Sequence, residues 1–536
     1  MIAGAGLAYH RTMRNWSFGN WFSGVTAALL VSAAGLLSAP AHADEFTARA
    51  NEPFKAFGAA RRTDLVVLPL LAKLEPVPSA VRKLEDSALV FPGIAGWDEA
   101  VKWAAGAAQQ DAVKSLAKVT AEKDWRKANA FAQPYGLDGV EIPMIQAGMY
   151  TDLGDPPTLA GAKVGFLPAL DSLAIQVNVE ATRLTHEGKV GDAIELLLNY
   201  VYFSRQMCDR QLFVEVNWGL THMLQGIERI RDVLHTDLVG KNSLDTAKIS
   251  GYIERLDDKS SAYLDLARVR FPDGDRAAAE QLVSRMYPAG SALDEQVFAT
   301  TMSRLTSTTR PLRLFGESGK WRSVGSSQGN KSEAVTQAGA IFDDWKSRWD
   351  IPLFDNRLTV KSAYELMDRS KFAALAAVVP NMATLSDLRT MIRVELLGGR
   401  QSLAVLGFRK TISNFPPQIS SVRPAWLKDI QPDPLNPARA NGARPPFQYF
   451  VPIRDTEHIN GVGKPHEMDV VMLGRPFKVV LKEDQFVLAS VGSDYASNNA
   501  KRIQNTTEVV QGADYLVWPP LTSLYRQYLL DVGDLK

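Results

Sequence analysis

The stretch TLSDLRTMIRVELLGGRQSLAVLGFRKTI, Thr384 to Ile412, decides how the rest of the chain is read. Leu385, Leu388, Met391, Ile392, Leu396, Leu403, Leu406 and Phe408 recur at helical spacing and predict one long helix with a broad apolar face and a weak point at Gly398-Gly399. The period then changes. Asn414-Phe415-Pro416, Trp426-Leu427, Asp433-Pro434 and Gly474-Arg475-Pro476-Phe477 are turn-rich, and Phe486 to Asp494 alternates as a strand does. Gly512-Ala513-Asp514-Tyr515-Leu516-Val517-Trp518 closes the series. A helix with one apolar face must cover something, and a small antiparallel sheet is not stable uncovered, so the segment predicts a helix laid over a sheet.

That order of motifs resembles the globular part of the major pseudopilins of type II secretion. It is also similar to the tail of a broad set of exported bacterial proteins of unknown function, in which a helical region precedes it. The resemblance covers residues 384 to 518, about a quarter of the chain. It implies envelope or secretion-system proteins as partners, and calcium between the last strands at the acidic positions Asp494 and Asp514. Three departures limit it. Phe415 stands where Tyr is usual, residues 438 to 472 form an insertion, and the Gly-Phe-Thr-Leu-x-Glu start of a pilin is absent. Pilin assembly packs that uncleaved helix into a filament core, so no filament subunit is expected. Asn498, Asn499, Lys501 and Arg502 replace the Gly- and acid-rich calcium loop, which favours a turn in which Asp514 fixes backbone amides.

Residues 1 to 43 read as a cleaved export signal: basic Arg11 and Arg14, an apolar run from Val25 to Leu37, and Ala41-His42-Ala43 before Asp44. A periplasmic or secreted product is expected. Cleavage would remove two basic residues from 60 and none of the 59 acidic ones, leaving a net charge of −1 (58 − 59), which offers no electrostatic footprint for nucleic acid. Cys208 is the single cysteine, so the chain closes no internal disulfide and depends on its hydrophobic core.

The fold class expected is α+β, mostly α. Residues 44 to 168 read as irregular with short helices at Ser79 to Asp86 and Asp98 to Ala130, and Gly136 to Pro168 as a loop. Residues 169 to 380 read as an α-helical domain, and 381 to 536 as the helix-plus-β module. The clearest helices are Leu170 to Glu187, Asp192 to Arg210 and Leu212 to Leu234, with a hairpin turn at Gly188-Lys189-Val190-Gly191 and Asp192 as cap. Ala181 to Leu198 is similar to one tetratricopeptide-type hairpin, without the repeating register of such arrays. Further helices are predicted at Asp245 to Arg270, Gly274 to Met286, Ala292 to Leu305, Lys331 to Trp349 and Thr359 to Val379, with Thr306 to Asn330 as an exposed loop.

Catalytic patterns are sparse. Gly325-Ser326-Ser327-Gln328-Gly329 fits the nucleophile elbow, in which Ser327 would need a strand before it, Asp433 or Asp455 as acid, and His458 or His466 as base. Ser115-Leu116-Ala117-Lys118 fits Ser-x-x-Lys without its companion motifs. His466, Glu467 and Asp469 lie within four residues and could serve acid-base chemistry. His186, His222 and His235 fall on helices with no metal-ligand spacing. The leading expectation is a non-catalytic binding or scaffolding protein of the cell envelope, followed by a serine hydrolase at Ser327 and by a helical small-ligand binder.

Overall fold

The computed structural model describes residues 44–122, 124–257, 264–288, 290, 292–306 and 313–535, so the export-signal segment lies outside the described residues. In the first part α1 (Thr63–Leu71), α2 (Trp97–Ala104) and α3 (Ala107–Val119) are separated by turns. The helix expected to reach Ala130 therefore divides at Gly106 and ends at Val119.

Three long helices follow: α4 (Leu167–His186), α5 (Val190–Met207) and α6 (Phe213–Val239). Pro168 sits in the first turn of α4, where its missing N–H costs nothing. Gly188, at φ +81°, ends it by donating to Thr185 while Lys189 donates to Leu184. Asp192 is not the cap of α5: Lys189 holds that position without a side-chain bond, and Asp192 lies in the first turn, facing the positive end of the helix dipole. Glycines set the close packing of α5 on α6. A Cβ on Gly219 would stand 2.9 Å from Ser204 O and one on Gly226 2.7 Å from Val201. Cys208 is sealed beneath this contact, and burial pushes its thiol up to about 12.

Next come α7 (Thr246–Arg255), α8 (Gly274–Met286), α9 (Glu295–Thr306), α10 (Arg313–Gly325) and α11 (Lys331–Arg348). The Asp245 to Arg270 prediction keeps its N-terminal cap, where Asp245 accepts from Lys248 N, but the helix stops at Arg255. The expected loop from Thr306 to Asn330 is largely helix α10 instead. Trp321 is 5% exposed and packs edge-to-face on Phe298 of α9 at 5.8 Å, so tertiary burial overrides a Ser- and Gly-rich composition. Thr359 to Val379 breaks into the short helices Ala363–Leu366 and Ala373–Val378.

The predicted long helix is α12 (Ala383–Ile412), 30 residues without a break. Gly398-Gly399 is not a weak point but a point of close approach, since a Cβ on Gly398 would meet Val517 at 2.7 Å. Beneath it lie β1 (Gln448–Phe450), β2 (His466–Met472), β3 (Arg475–Leu481), β4 (Val487–Ser490), β5 (Arg502–Ile503) and β6 (Tyr515–Trp518), followed by α13 (Leu521–Val532). One sheet has the order β6-β4-β1, antiparallel, with Tyr515 opposite Ser490 and Gln448 opposite Ala489. The other has the order β3-β2-β5. Its hairpin turns at Leu473-Gly474, both at positive φ (+50° and +78°), as a two-residue turn between right-twisted strands requires.

Every residue of β4 and β6 is buried, so the predicted alternation does not separate core from solvent. It separates two cores. Leu488, Tyr515 and Val517 face the core shared with α12, whereas Val487, Ala489 and Leu516 pack with Met468, Val470 and Phe477 of the second sheet. The expected insertion 438 to 472 supplies β1 and β2, strands of both sheets. The first core also joins Val67 of α1, Leu170 of α4, Leu197 of α5 and Val517 of β6, so apolar packing crosses positions 168 and 380. No helix among the described residues is long and apolar enough to cross a membrane.

Candidate functional site

Helix α6 carries Glu215, Arg229, Arg231, Asp232 and Asp237 into the interior, and a buried charge needs a partner. Two of the resulting networks are balanced. Arg210 donates to Glu215 at 2.8 Å and to Gln133 O at 2.6 Å, Tyr135 Oη donates to Glu215 at 2.6 Å, and the Phe54 and Tyr135 rings lie 4.3 and 4.7 Å from the guanidinium. Arg231 forks onto Glu395 of α12 at 2.6 and 2.8 Å, Tyr515 Oη donates to the same carboxylate at 2.6 Å, and Arg231 Nη1 donates to Val517 O. The second network ties α6, α12 and β6 together.

The third places two arginines on one carboxylate, with Asp86 acting on both from farther away. Arg526 of α13 donates to the two oxygens of Asp232 at 3.1 and 2.7 Å, Arg229 pairs with the same carboxylate, and Ser523 Oγ donates to it as well. Arg229 also donates to Thr182 Oγ1 at 2.5 Å and Arg526 to Ala88 O at 2.7 Å. Two guanidinium groups thus share one buried carboxylate. Burial, and then the neighbouring Arg526, pull Arg229 down to about 9; burial pulls Arg526 down to about 10. Both remain cations at neutral pH.

Beside this pair lies a cavity of about 170 Å³, lined by the Phe91-Pro92 loop, by Thr182, Thr185 and His186 at the end of α4, by Val190, and by Arg229, Val233 and Thr236 of α6 with Arg526. Arg229 and Arg526 are each 5% exposed, and the Nε of each has no acceptor. Arg210 leaves Nη2 unpaired too, but its guanidinium is closed between aromatic rings. Arg229 and Arg526 line the cavity through other atoms, and it is the candidate site, while their unpaired Nε atoms are closed off from its volume. Its lining combines two fixed cations, hydroxyl groups and an apolar wall.

The residues singled out from sequence lie elsewhere, except His186, which lines the cavity rim. Ser327 sits in the turn after helix α10, with no strand before it, and its hydroxyl donates to Val324 O at 2.9 Å. His458 is exposed on a two-residue strand. His466 is buried on β2, hydrogen-bonded through Nε2 to Ala500 O at 2.9 Å, and burial lowers its pKa. Among the described residues no hydrogen bond joins Ser327 to either histidine. Alternation along β2 turns His466 inward and Glu467 and Asp469 outward, so that cluster does not converge. Asp433 accepts from Ser490 Oγ and the amides of Leu435 and Val491, and Asp455 from Val451 N. Ser115 is buried and donates to Ala112 O. His222 stacks on Trp218 and His235 lies edge-on to Trp518; burial takes each down to about 4.

Asp514 is buried and accepts from Asn498 N and Ala500 N, while Asp494 accepts from Ala496 N and Gly512 N. Asn498 completes the loop, accepting from the amides of Lys501 and Arg502 and donating to Gly512 O. These carboxylates face N–H donors that a hard cation would have to displace, so the donor set does not fit calcium. Among the described residues no three His, Cys, Asp or Glu side chains gather as a metal site. Arg229 and Arg526 escaped the sequence reading because 294 residues separate Arg526 from Asp232. The available signal was the string Glu228-Arg229-Ile230-Arg231-Asp232 inside an otherwise apolar helix. Comparison with protein-family models, curated proteins and solved structures finds no match.

Proposed function

We propose that this is an exported, non-catalytic binding protein of the cell envelope that holds a small ligand between α4, α6 and α13. One observation carries the reading: Arg229 and Arg526, on rigid helices distant in sequence, crowd a single carboxylate at the wall of an open cavity. Cations crowded on one buried carboxylate cost stability unless something compensates them, and a site that keeps such a cost is a functional candidate. The helix-plus-β module contributes by holding α13 in place, and the order of α12 and its strands supports kinship with the pseudopilin-like tails of exported proteins. Envelope or secretion-system proteins are the partners proposed for its outer surface.

The test is native mass spectrometry of the mature protein recovered from the periplasmic fraction. A retained small molecule, released unchanged on denaturation, is the expected result. Protein of bare mass together with labelling of Ser327 by a serine-hydrolase probe would replace this reading with the hydrolase one.

A further inference from the structure

We infer that the cavity beside Arg229 and Arg526 takes a neutral, apolar molecule of about the size of one aromatic ring. The inference rests on the binding reading above and adds the chemical class. Each guanidinium at the wall already has an answering carboxylate. Asp232 is in contact with both and Asp86 acts on both from farther away, so two anions stand against two cations. A charged ligand would give up its hydration and find no uncompensated partner to repay the loss. Lys241 and His186 at the rim are exposed, and a charge in contact with water attracts a partner only weakly.

Hydrogen-bond donors are spent in the same way. The Nη groups of the two arginines donate to Asp232, Thr182 Oγ1 and Ala88 O, and the Nε groups are closed off from the volume. The Phe91 ring lies over the Arg526 guanidinium at 5.3 Å. Thr185 Oγ1 donates to Ala181 O at 2.7 Å, Thr236 Oγ1 to Asp232 O at 2.9 Å and Thr182 Oγ1 to Asn178 O at 3.1 Å, so each threonine turns its one proton onto its own helix. Asp237 accepts from Ser243 and Leu244. Inside the rim, what is left for a ligand is the apolar wall of Phe91, Pro92, Val190 and Val233. The arginines serve as its frame, because charge-assisted bonds to one carboxylate fix α13 against α6 beside the opening. Size sets the rest. The volume of about 170 Å³ is similar to the roughly 150 Å³ that accommodates a benzene ring in an apolar protein cavity.

Titration calorimetry and thermal unfolding of the mature chain with toluene, benzoate and benzylamine test this, the three being a neutral molecule, an anion and a cation of similar size at neutral pH. Toluene is expected to bind saturably and to raise Tm by about 1 °C or more at ten times Kd. Benzoate and benzylamine are expected to bind at least about tenfold more weakly. Thr236→Phe fills the cavity while leaving the side chains around Asp232 intact, and should abolish the toluene response. Should that variant fail to fold, amide exchange of the unchanged chain replaces it: bound toluene should slow exchange around Phe91 and at the ends of α4 and α6. Binding of either ion as tight as that of toluene overturns the neutral class and leaves the binding reading standing. Toluene binding that survives Thr236→Phe, or that leaves those amides unchanged, places the ligand elsewhere and overturns the site. Silence from all three probes overturns the inference, while a ligand retained in native mass spectrometry would still uphold the binding reading.

Discussion

Arg229 and Arg231 stand two residues apart on the same helix, both almost fully buried, and their surroundings differ in one respect. Arg231 meets Glu395 one to one, with Tyr515 and Val517 O completing its hydrogen bonds, whereas Arg229 shares Asp232 with Arg526 next to a cavity. A closed, neutral network specifies how α6, α12 and β6 dock. A network in which two cations crowd one carboxylate is less stable by itself, and the cavity beside it leaves room for a partner. The contrast separates a structural use of buried charge from a binding use on one turn of helix.

The largest effect should come from breaking the closed network. Glu395→Gln removes the carboxylate onto which Arg231 forks, and denaturant unfolding should show a loss of about 3–5 kcal/mol. Gly398→Val forces a side chain into Val517 and should cost about 1–3 kcal/mol by the same measurement, with α12 displaced from β6. Arg526→Met sharpens the comparison. It leaves Arg229 and Asp232 as a one-to-one pair, so its cost should fall below that of Glu395→Gln, at about 1–2 kcal/mol from lost packing and hydrogen bonds. An equal cost for the two would remove the distinction between the networks.

A smaller effect lies in pH. Glu228 lies near Arg231, and burial pushes its carboxyl up to about 7 from 4.5, with Arg231 opposing and Glu395 reinforcing the shift. The folded state therefore holds a proton that the unfolded chain has released. The contribution to stability is complete below pH 4.5 and is lost as pH rises through 7. Relative to Glu228→Gln, the native protein should lose up to about 1.4 kcal/mol per pH unit across that window. Identical pH profiles of Tm for the two proteins would contradict this. The smallest effect is expected at Ser327→Ala: the hydroxyl caps a turn at Val324, so stability in denaturant unfolding should change by less than about 0.5 kcal/mol.

Much of the fold was legible. The long helix from Ala383 to Ile412 and the hairpin around Gly188 follow from apolar periodicity and a left-handed glycine, signals that lie within one or two turns of chain. Thr306 to Asn330 reads as a loop because Ser, Gly and Thr favour one locally, whereas the packing of Trp321 on Phe298 favours helix α10. Gly398-Gly399 read as a flaw because the strand that needs the missing side chains arrives more than a hundred residues later. Of the site, the sequence shows His186 as a helix residue and Gly188 and Val190 as parts of a hairpin turn, none of them as a ligand group.

What the sequence determined by itself is the class of the chain, mostly helical with a compact β portion at the end, and the positions of the elements whose hydrophobic period is sustained. Those properties depend on neighbours three or four residues away. Which charges face one another was decided by tertiary structure alone. Asp232 accepts both arginines because α13 returns across α6, and the crowding of two cations on it exists through that crossing and nothing local. Electrostatic balance in a buried site is a sum over groups brought together in space, and no window along the chain contains all the terms of that sum.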